Sequence, residues 1–311
     1  MKRKLSLPQF TALFDTEDKC REYLEQAIWG DQPACRHCGS VKACRITGKS
    51  ARPGLFQCEA KKCAKQFTAT VGTVFQDTHL PLTKWFLAIY LLSETTKGVS
   101  ANWLKEAIGV TYKTAWYLGH RIRRLMGAED AILTGIVELD ETYMGGKPRK
   151  GDKKKAQSNK IKTGRGTDKF PVFVAVSRNG KLRANTIDNL KFSTIKTHMD
   201  AWIATDATIM TDEYKTYNQV GKFWKLHFRV QHGKGEFAIG DVHTNTAESF
   251  NATLKRAYVG VYHYMSRKHL LRYVEECVYR WNGRTSDTLG RVQGLLGAST
   301  GRHMAYKELI V

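Results

Sequence analysis

The chain has 311 residues, a formal net charge of +21 and an ordinary hydrophobic share of 42%. Such a length holds roughly one large domain or two to three small ones, and such a charge points to a polyanionic partner, nucleic acid ahead of an anionic membrane surface. No apolar run reaches the roughly 18 residues of a membrane span, and no signal-length apolar run follows the basic start, so neither insertion nor secretion is expected and a cytoplasmic protein is.

Residues 1–34 read as a helical lead. Its helix runs from Thr16 to Gly30, with Asp15 or Thr16 as cap, Glu17 and Asp18 at the positive end, and Cys20, Leu24 and Ile28 as the apolar stripe. The seven cysteines are an odd number in a chain without an export signal, which favours metal binding over a disulfide framework. Cys20 and Cys277 read as small buried core residues. Cys35 with Cys38 and Cys58 with Cys63 form two knuckles joined by short alternating segments, with turns at Gly48 and Pro53-Gly54. Four thiolates in two pairs fit one tetrahedral Zn²⁺ in a zinc ribbon over residues 35–68. A segment that short buries little core, so the metal would supply its folding energy. His37 and Cys44 are competing ligands.

Residues 69–127 read as a helical DNA-binding domain. An apolar helix from Lys84 to Glu94 precedes a helix from Gly98 to Gly109 and a basic helix from Val110 to Leu125. A helix, a glycine turn and a basic helix suggest a helix-turn-helix. Trp116, Ile122 and Leu125 would face inward, while Thr111, Lys113, Thr114, Tyr117, His120 and Arg121 could reach DNA.

Residues 128–282 carry the acids. A strand is expected to end at Asp140, with Glu138 and Glu141 as rivals to it. Residues 147–166 hold nine Lys or Arg against the single acid Asp152, and such a block reads as a mobile loop touching phosphates, through Lys147, Arg149 and Lys150 among others. Phe170 to Ser177 and Leu182 to Ile187 read as a hairpin around Asn179-Gly180. Ser193 to Ala204 is an amphipathic helix with Ile195, Met199 and Trp202 inward, and a buried strand runs from Ala207 to Asp212. The stretch from His243 to Lys255 reads as a loop entering a helix. Glu248, Asn251 and Lys255 share one face at i, i+3 and i+7, whereas Phe250 and Leu254 point to a core. A last helix, from Tyr262 to Trp281, has Leu270, Leu271, Val274, Cys277, Val278 and Trp281 as its stripe. Residues 283–311, with four glycines by Gly297, read as a loosely packed tail.

Two blocks carry a family resemblance: Val137 to Lys147 (Val-Glu-Leu-Asp-Glu-Thr-Tyr-Met-Gly-Gly-Lys) and His243 to Ser249 (His-Thr-Asn-Thr-Ala-Glu-Ser). They closely resemble the catalytic blocks of bacterial insertion-sequence DDE transposases of the ISXO-two-like group, whose members also carry an N-terminal zinc ribbon. The resemblance runs from about Phe10 to about Asn282. The second cysteine pair here has four intervening residues where those proteins usually have two. The resemblance implies an α/β fold: a ribonuclease-H-like, mixed-sheet catalytic domain preceded by the zinc ribbon and the helix-turn-helix. Strand, hairpin, helix and strand, with acids at the first and fourth strands, describe that topology too.

The implied chemistry is phosphoryl transfer by two Mg²⁺ or Mn²⁺ ions on Asp140, Asp212 and Glu248, hard cations on carboxylate oxygen. Water hydrolyses a strand at the transposon end, and the freed 3′-hydroxyl attacks target DNA. Lys255 would bind a terminal phosphate, with Arg256 and His263 as weaker candidates. Asn245 and Asn251 are further DNA contacts and the alternatives to Glu248 as third ligand. The expected partners are double-stranded DNA, as transposon ends and as target, and at least a second copy of the chain. The alternative functions are a DNA-binding regulator or a structure-specific nuclease on the same fold.

Overall fold

The computed structural model describes residues 4–48, 51–127, 130–146, 169–178, 180–231 and 242–310. The chain divides into two compact units, Met1–Ala128 with Gly283–Val311, and Glu129–Asn282.

The first unit begins with α1 (Leu7–Leu13) and α2 (Glu17–Trp29). Pro8 stands in the first turn of α1, where no amide partner is lost. The cap expected of α2 is present: the Thr16 hydroxyl accepts from the Lys19 amide at 3.3 Å. Glu17 does something the sequence did not suggest. Its carboxylate accepts from the amides of Leu82 and Thr83, each at 2.9 Å, and so caps α3 (Leu82–Glu94). Three short strands, β1 (Ala43–Arg45), β2 (Phe56–Cys58) and β3 (Gln66–Phe67), form an antiparallel ribbon. Its small core is Phe56, Phe67, Cys35 and Cys58, with Trp29 packed against it.

Trp85, Phe86 and Ile89 of α3 are buried, as its sequence demands. The next two helices are α4 (Ala101–Ile108) and α5 (Tyr112–Met126). Gly109 closes α4 in the left-handed region at φ 61°, and Thr111 caps α5 by accepting from the Thr114 amide at 3.2 Å. The C-terminal segment is not loosely packed, contrary to its glycine content. It forms α9 (Thr288–Gly297), with Val292, Leu295 and Leu296 buried, and α10 (Lys307–Ile310). Arg291 donates to the Ser93 carbonyl at 3.0 Å and to Glu94 at 2.7 Å. Here glycine permits close approach: a Cβ on Gly297 would lie 3.2 Å from the Ala27 carbonyl oxygen.

The second unit is built on a five-stranded mixed sheet, in the order β6-β5-β4-β7-β8. Its strands are β4 (Ile136–Met144), β5 (Phe170–Ser177), β6 (Leu182–Thr186), β7 (Thr208–Thr211) and β8 (His227–Arg229). β4, β5 and β6 are antiparallel neighbours, whereas β4, β7 and β8 run parallel. The expected hairpin is β5 with β6, though Asn179 of its turn lies outside the described residues.

Side-chain alternation assigns the two faces of the sheet. Val137, Leu139, Phe173, Ala175 and Ile209 pack with Ile195, Met199 and Trp202 of α6 (Phe192–Trp202) and with Tyr217 and Val220 of the 3-10 helix Lys215–Lys222. Met144, Val172, Val174 and Val176 pack with α7 (Asn245–Ala257) and α8 (Arg267–Asn282) on the other face.

Two expectations need correction, and one strand went unread. β4 does not stop at Asp140; residues 141–144 continue to pair with β5 as far as Met144 opposite Phe170. The last helix starts at Arg267 rather than Tyr262, because a π-helical turn, Tyr258–Tyr262, ends with His263 at φ 57°. β8 had no sequence reading, since three residues give no alternation to detect.

Candidate active site and cysteine centre

The even positions of β4, namely Glu138, Asp140, Thr142 and Met144, lie on the face that packs against α7, as Met144 in that core shows. Parallel pairing of β4 with β7 sets Glu138 opposite Met210. Two residues further along each strand come Asp140 and Asp212, so the register puts both aspartates at the same level. Asp212 is just past the end of β7, where its carboxylate accepts from the Tyr214 amide at 2.9 Å. Glu141 points to the opposite face and accepts from the buried Tyr217 hydroxyl at 2.9 Å.

Asp140 is the electrostatic centre of this group. Burial, then the charges of Glu141 and Asp212, push its carboxyl up to about 7. The Glu141 amide at 2.8 Å and the Asn251 amide group at 2.7 Å hold it in place. Asn251 is buried, and its Oδ1 has no hydrogen-bond partner among the described residues.

Helix α7 supplies the rest. Ala247, Phe250, Leu254 and Ala257 are buried in the core, which turns Glu248, Lys255 and Arg256 outward. Glu248 accepts from the Thr244 hydroxyl at 3.2 Å. Arg256 donates to Thr253 Oγ1 at 3.0 Å. Asn245 and His263 are exposed. Lys147, Arg149 and Lys150 lie outside the described residues.

Glu138, considered from sequence as a rival to Asp140, has no solvent exposure. Its oxygens accept from the Thr246 amide at 2.7 Å, the Thr246 hydroxyl at 3.0 Å, the Ala247 amide at 3.1 Å and Arg178 Nε at 2.7 Å. Sequence favoured Asp140 only as nearer the expected strand end, a ground that the continuation of β4 to Met144 removes; the two acids share strand parity and differ in what the helix brings to each.

The cysteine centre gathers all four predicted residues. The sulfurs of Cys35, Cys38, Cys58 and Cys63 lie within 4.8 Å of one another, and among the described residues no other group of three or more such ligands does so. Cys35 to Cys63 is 3.7 Å and Cys38 to Cys58 is 3.6 Å. A tetrahedron with zinc–sulfur bonds of about 2.3 Å has edges of about 3.8 Å, so the set fits zinc. Burial opposes ionisation of Cys35, but the His37 and Cys38 amides bring its thiol down to about 7. Neither competitor joins the set: His37 faces the Gln66 carbonyl at 3.3 Å and Cys44 the Gln57 carbonyl at 3.9 Å.

The residues of α5 proposed to touch DNA separate into two groups. Thr111 and Lys113 are exposed and Thr114 is half-buried. Tyr117 donates to the Met304 carbonyl at 2.6 Å, and His120 is buried. Arg121 is 4% exposed, stacks on Trp85 and Tyr117, and donates to the Gln76 carbonyl at 2.8 Å. Sequence placed Arg121 on a basic outer face; the aromatic rings and the carbonyl draw it inward.

The Asp140 environment predicts a pH effect. A carboxyl raised to about 7 in the folded chain, against about 3.9 unfolded, binds its proton more tightly when folded. Folded stability therefore falls as pH rises from about 4 through about 7. Metal-free protein should lose on the order of 5 to 10 °C of Tm between about pH 5 and about pH 8 through this group. Asp140→Asn should flatten that fall, as calorimetry at several pH values would show; an unchanged slope would contradict it.

Residues 132–282 match the model of the ISXO2-like transposase domain, and residues 15–66 match that of the transposase zinc-ribbon domain. A Halobacterium salinarum protein, described as an uncharacterized protein in transposable element ISH50, is 31% identical over 270 residues, covering 84% of this chain and 89% of that protein. The chain belongs to the ISXO2-like family of insertion-sequence transposases.

Proposed function

We propose that the protein is a DNA transposase that binds the terminal inverted repeats of a mobile element, cleaves a strand at each end and joins it to target DNA. The observation that carries this reading is the pair Asp140 and Asp212 at one level of two adjacent parallel strands, with α7 alongside. The second unit is read as a ribonuclease-H-like domain on its strand order and directions.

Asp140, Asp212 and Glu248 would hold two Mg²⁺ or Mn²⁺ ions, and oxygen donors suit these hard cations. Such ions stabilise the attacking and leaving oxygens of an in-line displacement. Asp140 presents its carboxylate, kept in one orientation by Asn251 and the Glu141 amide. Asp212 is fixed by the turn it makes with Tyr214. Lys255 and Arg256, exposed on the last turn of α7, would take phosphates beside the reacting strand, with His263 and Asn245 near them in the chain. Lys113 and Thr114 at the start of α5 would add duplex contacts if α4 and α5 act as a helix-turn-helix. The four cysteines would hold one structural Zn²⁺. Paired ends require at least two copies of the chain on DNA. Among the described residues no helix is long and apolar enough to cross a membrane.

Two measurements follow. Purified protein should contain about one zinc per chain, and Cys38→Ser should release it and unfold the ribbon; end binding at full affinity without zinc would contradict this. Glu248→Gln should abolish cleavage and leave end binding nearly intact, whereas Lys255→Ala should weaken end binding by roughly 1 kcal/mol, as for exposed charge pairs. Normal cleavage by Glu248→Gln alongside a dead Asn245→Ala or Asn251→Ala would move the third ligand to that asparagine.

A further inference from the structure

Two carboxylates project from the same face of β4, and α7 meets both. Glu138 takes the amides of Thr246 and Ala247, in the first turn of the helix. Asp140 takes the side chain of Asn251, one turn later. Two residues along a strand advance about 6.6 Å. The four to five residues from Thr246 or Ala247 to Asn251 advance about 6 to 7.5 Å. The two spacings match, so strand and helix run alongside each other and are tied at two points of equal separation.

The ties differ in chemistry. At Glu138 the carboxylate meets free helix amides, where the helix end favours negative charge. Arg178 balances its charge and also donates to the His243 carbonyl at 3.0 Å, which holds the chain just ahead of α7. With four protein donors on its two oxygens and no exposure, Glu138 is engaged within the fold rather than open to solvent. At Asp140 the single tie leaves the carboxylate in the acidic group with Asp212.

We propose that Glu138 is a positioning residue: it clamps the first turn of α7 to β4, and so sets the register at which Asn251 meets Asp140. This rests on the catalytic reading above. Its consequence is that cation affinity at the acidic group depends on a carboxylate that touches no cation.

The test uses full-length zinc-loaded protein, with Mn²⁺ as probe. Glu138→Gln keeps an acceptor for the α7 amides but loses the charge that Arg178 matches. Mn²⁺ stoichiometry should stay as in the wild type, affinity should fall about 10- to 100-fold, as for groups that orient ligands, and hydrogen exchange over residues 244–251 should accelerate. Thr246→Val, which removes only the hydroxyl tie, should move both readouts less and in the same direction, and it decides the matter if Glu138→Gln does not fold. Loss of a bound ion in Glu138→Gln would make Glu138 a ligand and overturn the proposal. Faster exchange with unchanged Mn²⁺ affinity would make the clamp merely structural and overturn it equally. Wild-type protein that binds no Mn²⁺ would instead sink the catalytic reading, and unchanged exchange in both variants would then refute the clamp on its own.

Discussion

The buried carboxylate of Glu138 is the constraint on which the second unit depends. An unpaired charge at that depth would destabilise the fold by roughly 3 to 5 kcal/mol. The end of β5 offers it Arg178, and the amino end of α7 supplies the amides. Burial of Phe250 and Leu254 drives α7 onto the sheet, but apolar contact is not directional. The carboxylate adds the direction. The first unit uses the same device, with Glu17 of α2 capping α3. In both cases an acid on one element satisfies the free amides of another, so that a packing contact becomes a fixed register.

The mixed sheet explains why the acids lie where they do. β4 is paired on both sides only as far as Glu138, after which β5 remains its neighbour and the named pairs with β7 end. Asp140 therefore stands where the sheet opens, with Asp212 just past the end of the next strand. Open positions beside strand ends are where α/β sheets place ligands. Burial first, then the charges of Glu141 and Asp212, raise the Asp140 carboxyl.

Much of this was legible in the residues, for identifiable reasons. Metal-ligand spacing is a local signal, so Cys35, Cys38, Cys58 and Cys63 could be grouped without the fold. Helical periodicity placed Ile195, Met199 and Trp202 inward and turned Glu248 and Lys255 outward on α7, whereas Asn251, expected on their face, is buried against Asp140. What escaped was set by distant partners. Arg121 looked like a surface cation until Trp85, Tyr117 and Gln76 surrounded it. Glu138 looked like a second Asp140 until Thr246 reached it, 108 positions along the chain. The tail glycines suggested slack because the use of Gly297, letting α9 approach α2, depends on a helix more than 250 positions earlier in the numbering.

The most direct measurement is strand joining by the intact protein. A duplex with a pre-cleaved transposon end and a free 3′-hydroxyl is incubated with a plasmid target and Mg²⁺ or Mn²⁺. Wild-type protein is expected to join the end to the plasmid only when the cation is present. Asp140→Asn, folded and still binding the end, is expected to join about 10³-fold more slowly, the loss of roughly 4 kcal/mol of transition-state stabilisation. Joining by Asp140→Asn at the wild-type rate would contradict the assignment of the acidic group as the catalytic centre.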